Sequence, residues 1–482
     1  MGFQEDSGNS LGLLEKSTVS SQATTDLRCT SSQDSLGGFI GGAANWDLNH
    51  HCRRLLRSPF LRLQRNLNEF LWNSEILGIR DRRAKIGDDF IPMADRSAER
   101  VTRTRIRAEI AGNRLELIES GKARLALLLE LIAGAERSIR MLMYMFNADV
   151  AGRSVRDALA AAARRGIEVR LLVDGFGSDA GPEFFSIFDE VGAEHCVFNP
   201  SYGRSYLLRN HQKLVVIDDR VAIVGGANID ETYMNDVGAT HWRDLWLRIE
   251  GPEVAMPSRY FDLVFRWSKR KNPALKYLRR QIAEFSEWRG PLQWKFSGPL
   301  SMRNSWWRSI GQDIRSGHRL EMIFAYFAPP GAMLRRIGRL GRRGRARIIT
   351  PAKSDNNSTI EAARHSYSRL LRRHVEMYEY QPAKLHTKLA IVDDIVHIGS
   401  SNFDYRSLYI NMEVMLRIKD QGFAEAMRGY FDDEVAHSRW ITPALHKRRA
   451  NPWRRIKWAI SHFLVNVMDY TVTRRLNFRV ER

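Results

Sequence analysis

At 482 residues the chain is long enough for two average domains plus appendages, and 44% apolar with 27% charged residues excludes both a disordered chain and a polytopic membrane protein. Its 75 Lys+Arg against 55 Asp+Glu give a formal charge of +20, which favours a polyanionic partner, nucleic acid or an anionic lipid surface, without choosing between them. Three cysteines, Cys29, Cys52 and Cys196, in neither metal-type nor redox-type spacing exclude a disulfide framework and point to a reducing compartment.

Residues 1–45 are rich in Ser, Thr, Gly and Gln without a sustained period, and are expected to be disordered. Residues 46–108 contain the basic, Leu-rich stretch HCRRLLRSPFLRLQRNLNEFLW, read as a helical extension packed on the body, with a membrane-surface helix as the alternative. Pro59 breaks or kinks such a helix, and the adjacent pair His50-His51 reads as a solvated face. Met93 is an alternative start, since α/β patterning begins only after it. From 109 the pattern runs through an amphipathic helix over 123–135, the apolar run SIRMLMYMF, a helix over 153–165, and IEVRLLVDGFGSD. The same order returns as HRLEMIFAYFAPPG, a basic helical stretch to Arg343, and RARIITPAKSDN. This is an internal duplication, with copy one at 109–285 and copy two at 286–442. Residues 443–482 set Arg454, Arg455, Lys457, Arg474 and Arg475 around an apolar segment at 458–468, too short to span a bilayer and suited to an interfacial helix, with a helix packed on the catalytic body as the alternative. With no membrane-spanning run and no secretory signal pattern, the expected location is cytoplasmic and peripheral to a membrane.

Each copy continues into a near-identical block, NHQKLVVIDDRVAIVGGANID at 210–230 and LHTKLAIVDDIVHIGSSNFD at 385–404. Both carry His-x-Lys-x4-Asp: His211, Lys213, Asp218 and His386, Lys388, Asp393. In an extended chain residues i and i+2 share a face, so each His and its Lys can address one ligand. A neutral imidazole can attack phosphorus, while an ammonium stabilises the oxygens that gain charge in the pentacoordinate transition state. Two copies then supply two roles: one His forms a phosphohistidine, and the other protonates the leaving alkoxide and deprotonates the incoming hydroxyl. Neither role calls for a metal or another cofactor. Asp218 and Asp393 complete the catalytic motifs, but an Asp at a strand end more often stabilises a turn than touches substrate, so they are read as structural members of the site.

Aligning the copies adds further pairs. Asn228 and Asn402 occupy matching Gly-x-x-Asn turns, where an amide can donate to a phosphate oxygen; Asn402 lies 16 positions beyond His386 and Asn228 lies 17 beyond His211. DLWLRI at 244–249 matches EVMLRI at 413–418, which equates Asp244 with Glu413. A carboxylate on the far nitrogen of a catalytic His fixes its tautomer; the alternative is that these acids pair with a local Arg243, Arg248 or Arg417. A metal site is not expected, because a protonated Lys stands where a ligand is needed and no compact Cys/His/Asp/Glu cluster occurs. Trp306-Trp307 reads as a core or interface anchor rather than a base-stacking platform.

These blocks, with RGIEVRLLVDGFGS, WRDLWLRIEGP, YEYQPAKLHTKLAIVDD and GSSNFDYRSLYINMEVMLRI, resemble the phospholipase D superfamily. Within it, the resemblance is to bacterial cardiolipin synthases of the type without N-terminal membrane spans, over residues 110–440. It implies an α/β fold of two αβα sandwich half-domains related by a pseudo-twofold axis, with the active site at their interface. It also implies phosphatidyl transfer through phosphohistidine on His211, with His386 as acid and base, from phosphatidylglycerol to a second lipid hydroxyl to give cardiolipin and glycerol. The implied partners are phospholipids and the anionic cytoplasmic face of the membrane, with nucleic acid not expected. Two rivals stay open on the residues alone: a hydrolase of the same chemistry, in which water is the acceptor, and a nuclease, which the charge of +20 also suits. Acyl preference, second lipid and oligomeric state are not legible.

Overall fold

The computed structural model describes residues 105–198, 208–237, 241–271, 273–299, 304–354 and 357–465. The expectations for Cys29, His50, His51, Cys52, Pro59, Met93, Arg474 and Arg475 lie outside the described residues. All described residues belong to one compact unit, Asp88–Arg482.

Copy one builds an eight-stranded sheet from β1 (Arg107–Ile110), β2 (Asn113–Ile118), β3 (Ser138–Met143), β4 (Glu168–Asp174), β5 (Glu194–Phe198), β6 (Leu214–Ile217), β7 (Val221–Gly225) and β9 (Trp246–Glu250). Its spatial order is β1-β2-β9-β7-β6-β3-β4-β5, with the two-residue β8 (Trp242–Arg243) outside it. Copy two uses β10 (Leu292–Ser297), β11 (Arg319–Phe324), β13 (Arg345–Pro351), β14 (Val375–Tyr380), β16 (Lys388–Val392), β17 (Ile395–Gly399), β19 (Glu413–Lys419) and β20 (Ser438–Ile441). Their order is β10-β19-β17-β16-β11-β13-β14-β20, while β12 (Phe327–Ala328), β15 (Lys384–Leu385) and β18 (Phe403–Asp404) form short pairings elsewhere. Seven positions coincide between the sheets; β1 and β20 are additions at opposite edges. In each sheet the three strands after the motif-bearing one are parallel, β3-β4-β5 and β11-β13-β14, and β6 and β16 run antiparallel to them.

Helices α1 (Gly121–Ala133), α2 (Val150–Arg164), α3 (Pro182–Glu190), α4 (Ala255–Ser268) and α5 (Leu275–Glu284) belong to copy one. Copy two contributes α6 (Ser305–Ser316), α7 (Gly331–Arg343), α8 (Asn357–Leu371), α9 (Tyr405–Tyr409) and α10 (Gln421–Ala436), and the C-terminal segment adds α11 (Pro443–Arg449) and α12 (Pro452–Phe463). The first two begin two or three residues before periodicity alone suggests, because their starts are set by caps. Ser120 accepts the Ala123 amide at 3.2 Å, and Asp149 accepts that of Gly152 at 2.8 Å.

The alternation of side chains along a strand sorts the core into three. Leu214 and Val216 of β6 meet Leu389 and Ile391 of β16 in a shared core, closed by Tyr260 and Val264 of α4 and by Met427 and Phe431 of α10. Val215 and Ile217 point the other way, onto Leu128 and Leu159, while Ala390 and Val392 point onto Ile337 and Leu370. Both faces of LVVI and LAIV are therefore buried, which is why these strands read as unbroken apolar runs. The expected α/β fold of two matching sandwiches is observed, and the shared core joins them along the two motif strands.

Candidate active site

Each motif His sits on a segment that pairs with the opposite copy. The His211 amide donates to the Met412 carbonyl at 3.0 Å, and the Met412 amide to that of Arg209 at 2.9 Å. In mirror fashion the His386 amide donates to the Arg243 carbonyl at 2.8 Å, and β15 pairs in parallel with β8. Since β6 and β16 oppose the parallel strands, these segments lie beyond the carboxyl ends of β3 and β11, where open α/β sheets bind ligands. Asp174, at the end of β4 and 1% exposed, accepts the amides of Asn210 at 2.7 Å and Phe176 at 2.9 Å and so fixes the approach to His211.

The exchange of segments crosses the carboxylates. His211 Nδ1 lies 3.0 Å from Glu413 Oε1, and His386 Nδ1 lies 2.5 Å from Asp244 Oδ2. Each His is thus oriented by the acid of the other copy, and both acids are fully buried. The local-arginine alternative does not hold: Arg243 binds Glu434 and Glu119, Arg248 binds Glu250, and Arg417 binds Asp313. With Nδ1 taken by a carboxylate, Nε2 is the ring nitrogen left for chemistry.

The two pairs are not electrostatically equal. Burial alone would raise Asp244, but Lys388 and His386 hold it below the usual carboxylate range. Burial pushes Glu413 up to about 8 in spite of Lys213 and of a 2.5 Å bond from Ser400 Oγ. Where Ser400 stands in copy two, copy one has Gly226, and a Cβ there would come within 2.5 Å of Asp244 Oδ1. The shorter acid leaves no room for a side chain, whereas the longer one is met by a hydroxyl. Burial takes Lys213 down to about 7, with Glu413 opposing that shift. Burial and then Lys388 bring His386 down to about 3, and burial followed by Lys213 and Lys388 takes His211 well below its usual range. Charges of the second motif act on the first His, so the motifs form one site with two neutral imidazoles. Lys213 Nζ donates to the His211 carbonyl at 2.7 Å, and Lys388 Nζ donates to that of His386.

Asn228 and Asn402 are 2% and 3% exposed, and the Oδ1 of each is buried with no hydrogen-bond partner among the described residues. Sequence reasoning missed the aromatic walls. Tyr144 meets His211 edge-on at 4.7 Å and lies under Lys213 Nζ at 4.9 Å, while Tyr233 and Trp242 flank His386 at 5.1 and 5.3 Å. For Tyr144 a signal existed, because it directly follows the apolar run of β3.

Asp218 and Asp393 are not brought to the histidines. They end β6 and β16, five residues past each motif Lys, roughly 16 Å along an extended chain. Asp218 accepts the amides of Arg137, Ser138 and Glu136 at 2.7, 2.8 and 2.9 Å, and Asp393 accepts those of Arg319 and His318 at 2.8 and 3.1 Å. Both take a positive φ, 54° and 50°, which Asp tolerates in turns. They anchor the start of β3 and β11 to the end of the motif strands. Asp218→Ala strands three amides and is expected to cost about 2–3 kcal/mol in chemical denaturation, with kcat of the folded enzyme nearly unchanged. A kcat loss as large as that of the His variants overturns the anchoring role.

Among the described residues no group of three or more His, Cys, Asp or Glu is placed to hold a metal ion. A family model described as cardiolipin synthase, PLD-like domain, matches residues 128–259 and 311–435, one segment in each copy. The chain belongs to this family. The two matched segments contain all of the motif residues and both orienting acids. The chain is 31% identical over 374 residues to cardiolipin synthase A of Edwardsiella ictaluri, covering 74% of this chain and 76% of that protein. It is 30% identical over 338 residues to cardiolipin synthase B of Salmonella typhimurium, covering 66% and 79%. Among solved structures, phosphatidylserine synthase from Haemophilus influenzae superposes with a TM-score of 0.57 at 15% identity, over 74% of this chain and 94% of that one, a likeness of fold. As a member of the cardiolipin synthase family, the protein is a phospholipid phosphatidyltransferase of the phospholipase D superfamily. Among the described residues no helix is long and apolar enough to cross a membrane.

Proposed function

We propose that the protein is a cardiolipin synthase that moves a phosphatidyl group from one phosphatidylglycerol to another through a phosphohistidine on His211, at the cytoplasmic surface of an anionic membrane. The observation that carries this reading is the crossed pairing of each His with the buried acid of the other copy. His211 Nε2 attacks phosphorus while Glu413, as carboxylate, holds the proton on Nδ1. The entering phosphodiester anion offsets Lys388 and lets His386 Nε2 take up a proton from solvent, and the glycerol oxygen leaves with that proton. A hydroxyl of the second phosphatidylglycerol then gives its proton to His386 Nε2, its oxygen attacks phosphorus, and the bond to His211 breaks. Lys213 and Lys388 stabilise the phosphoryl oxygens, and the Asn228 and Asn402 amides are suited to donate to them.

Transfer and hydrolysis differ only in the acceptor, and burial favours transfer. The His211 and His386 side chains are 12% and 6% exposed, so water has little access to a phosphohistidine. Purified protein with phosphatidylglycerol vesicles is expected to yield cardiolipin and glycerol in equal amounts. Phosphatidic acid as the main product replaces this reading with a hydrolase, and cleavage of labelled DNA without lipid turnover replaces it with a nuclease.

A further inference from the structure

The helices outside the second sheet carry two features that neither catalysis nor packing uses. Helix α12 packs on α8 and α11 through one face: Trp458 stacks on His446 at 5.2 Å, His462 stacks on His365 at 4.6 Å, and Lys457 pairs with Glu361 at 3.6 Å. The opposite face presents Trp453, Ile456, Ile460 and Phe463, 78%, 50%, 38% and 49% exposed. At roughly 100° per residue these four fall in an arc of about 80°, a continuous apolar ridge. The ridge differs from the apolar segment read from sequence at 458–468, because Trp458 is 5% exposed and belongs to the packing face.

Helix α8 also packs on α7, and there the two helices assemble an arginine cluster. Arg335 and Arg369 both place a guanidinium nitrogen within 4.0 Å of the position a Gly331 Cβ would take, and the Arg373 side chain lies against Gly338. Burial, and then Arg342, Arg369, Arg339 and Arg335, pull Arg373 below the usual guanidinium range. Among the described residues none of Arg335, Arg339, Arg342 or Arg369 pairs with a carboxylate. Clustered like charges without counterions oppose folding, and an anionic partner relieves that cost.

We propose that α12 and the α7/α8 arginines form a docking face for an anionic phospholipid bilayer, the ridge entering the boundary between headgroups and acyl chains and the guanidinium groups binding lipid phosphates. This deepens the phospholipid reading of the active site and rests on it. Lys457, Trp458 and His462 hold the other face of α12 against α8 and α11, so its exposed ridge meets a surface side-on. A second copy of the chain would set the same arginines face to face, and nucleic acid leaves four exposed apolar side chains unused.

Flotation of the full-length protein with vesicles of phosphatidylglycerol and phosphatidylcholine, against phosphatidylcholine alone, tests this. Two variants are compared with the parent: Trp453→Ser/Ile456→Ser/Ile460→Ser/Phe463→Ser, and Arg335→Gln/Arg339→Gln/Arg342→Gln/Arg369→Gln. Each is expected to bind the anionic vesicles at least about tenfold more weakly, with the salt dependence of binding reduced in the arginine variant. Turnover of a dispersed short-chain phosphatidylglycerol is expected to stay at the parent level in both, which separates docking from chemistry. If the parent makes no cardiolipin from either form, the transferase reading fails while flotation still reports on the face. Unchanged flotation of both variants overturns the proposal, as does a parent dimer that the α12 variant dissociates in sedimentation.

Discussion

His211→Ala and His386→Ala are each expected to lower cardiolipin formation by at least about 10⁴-fold, and to do so for different reasons that one substrate separates. With a phosphatidyl p-nitrophenyl ester, whose leaving group needs no proton, His386→Ala still releases nitrophenol once per enzyme and accumulates a phosphohistidine, because the base that activates the acceptor is missing. His211→Ala releases none and holds no label. Label retained in His211→Ala and lost in His386→Ala exchanges the two roles. Burst-phase absorbance and acid-labile phosphate after a denaturing quench are the measurements.

The crossed acids predict a second large effect. Asp244→Asn and Glu413→Gln keep the shape of each pair but remove the negative acceptor of Nδ1–H, and the comparable substitution in a serine-protease triad costs about 10⁴-fold. Because Asp244 orients His386, its loss is largely restored in the burst on the nitrophenyl ester, whereas the loss in Glu413→Gln persists there. The opposite pattern would mean that each acid serves the His of its own copy. On the nitrophenyl ester, whose leaving group needs no proton from His386, the free-enzyme profile of kcat/KM carries a further signature. Glu413 is raised to about 8, so it holds its proton below that pH and becomes the required carboxylate above it. Lys213 is lowered to about 7, so it is charged below that pH and loses its charge above it. One requirement rises with pH while the other falls, and the profile is bell-shaped across the neutral range, with limbs that belong to the coupled pair. Lys213→Arg keeps a charge that does not titrate there, and the bell becomes a single rise through about 8. A bell that persists in Lys213→Arg removes Lys213 as the titrating group.

Local information was enough for a good part of this protein. The duplication, the apolar runs LVVI and LAIV, and the spacing of His211 with Lys213 and of His386 with Lys388 are properties of short stretches, and period-two burial reports them directly. Turn chemistry likewise read Asp218 and Asp393, which complete the motifs, as structural members of the site, and each accepts backbone amides at the start of β3 or β11. Aligning the copies equated Asp244 with Glu413 but could not say which His each serves. The partners are 142 and 202 positions apart, and only the crossing of the two motif segments over a shared core brings them into contact. The aromatic walls of Tyr144, Tyr233 and Trp242 and the inequality of the two acids depend on the same packing, since burial sets both ring contacts and proton affinity. At the C-terminal end, composition marked a basic, apolar stretch, while its fold on α8 decided that Trp458 is buried and that Trp453, Ile456, Ile460 and Phe463 are not. The sequence by itself determined which groups can do the chemistry, because residue type and spacing are local. The tertiary structure decided which of them act together, because contact, burial and charge are set by residues far apart in the chain.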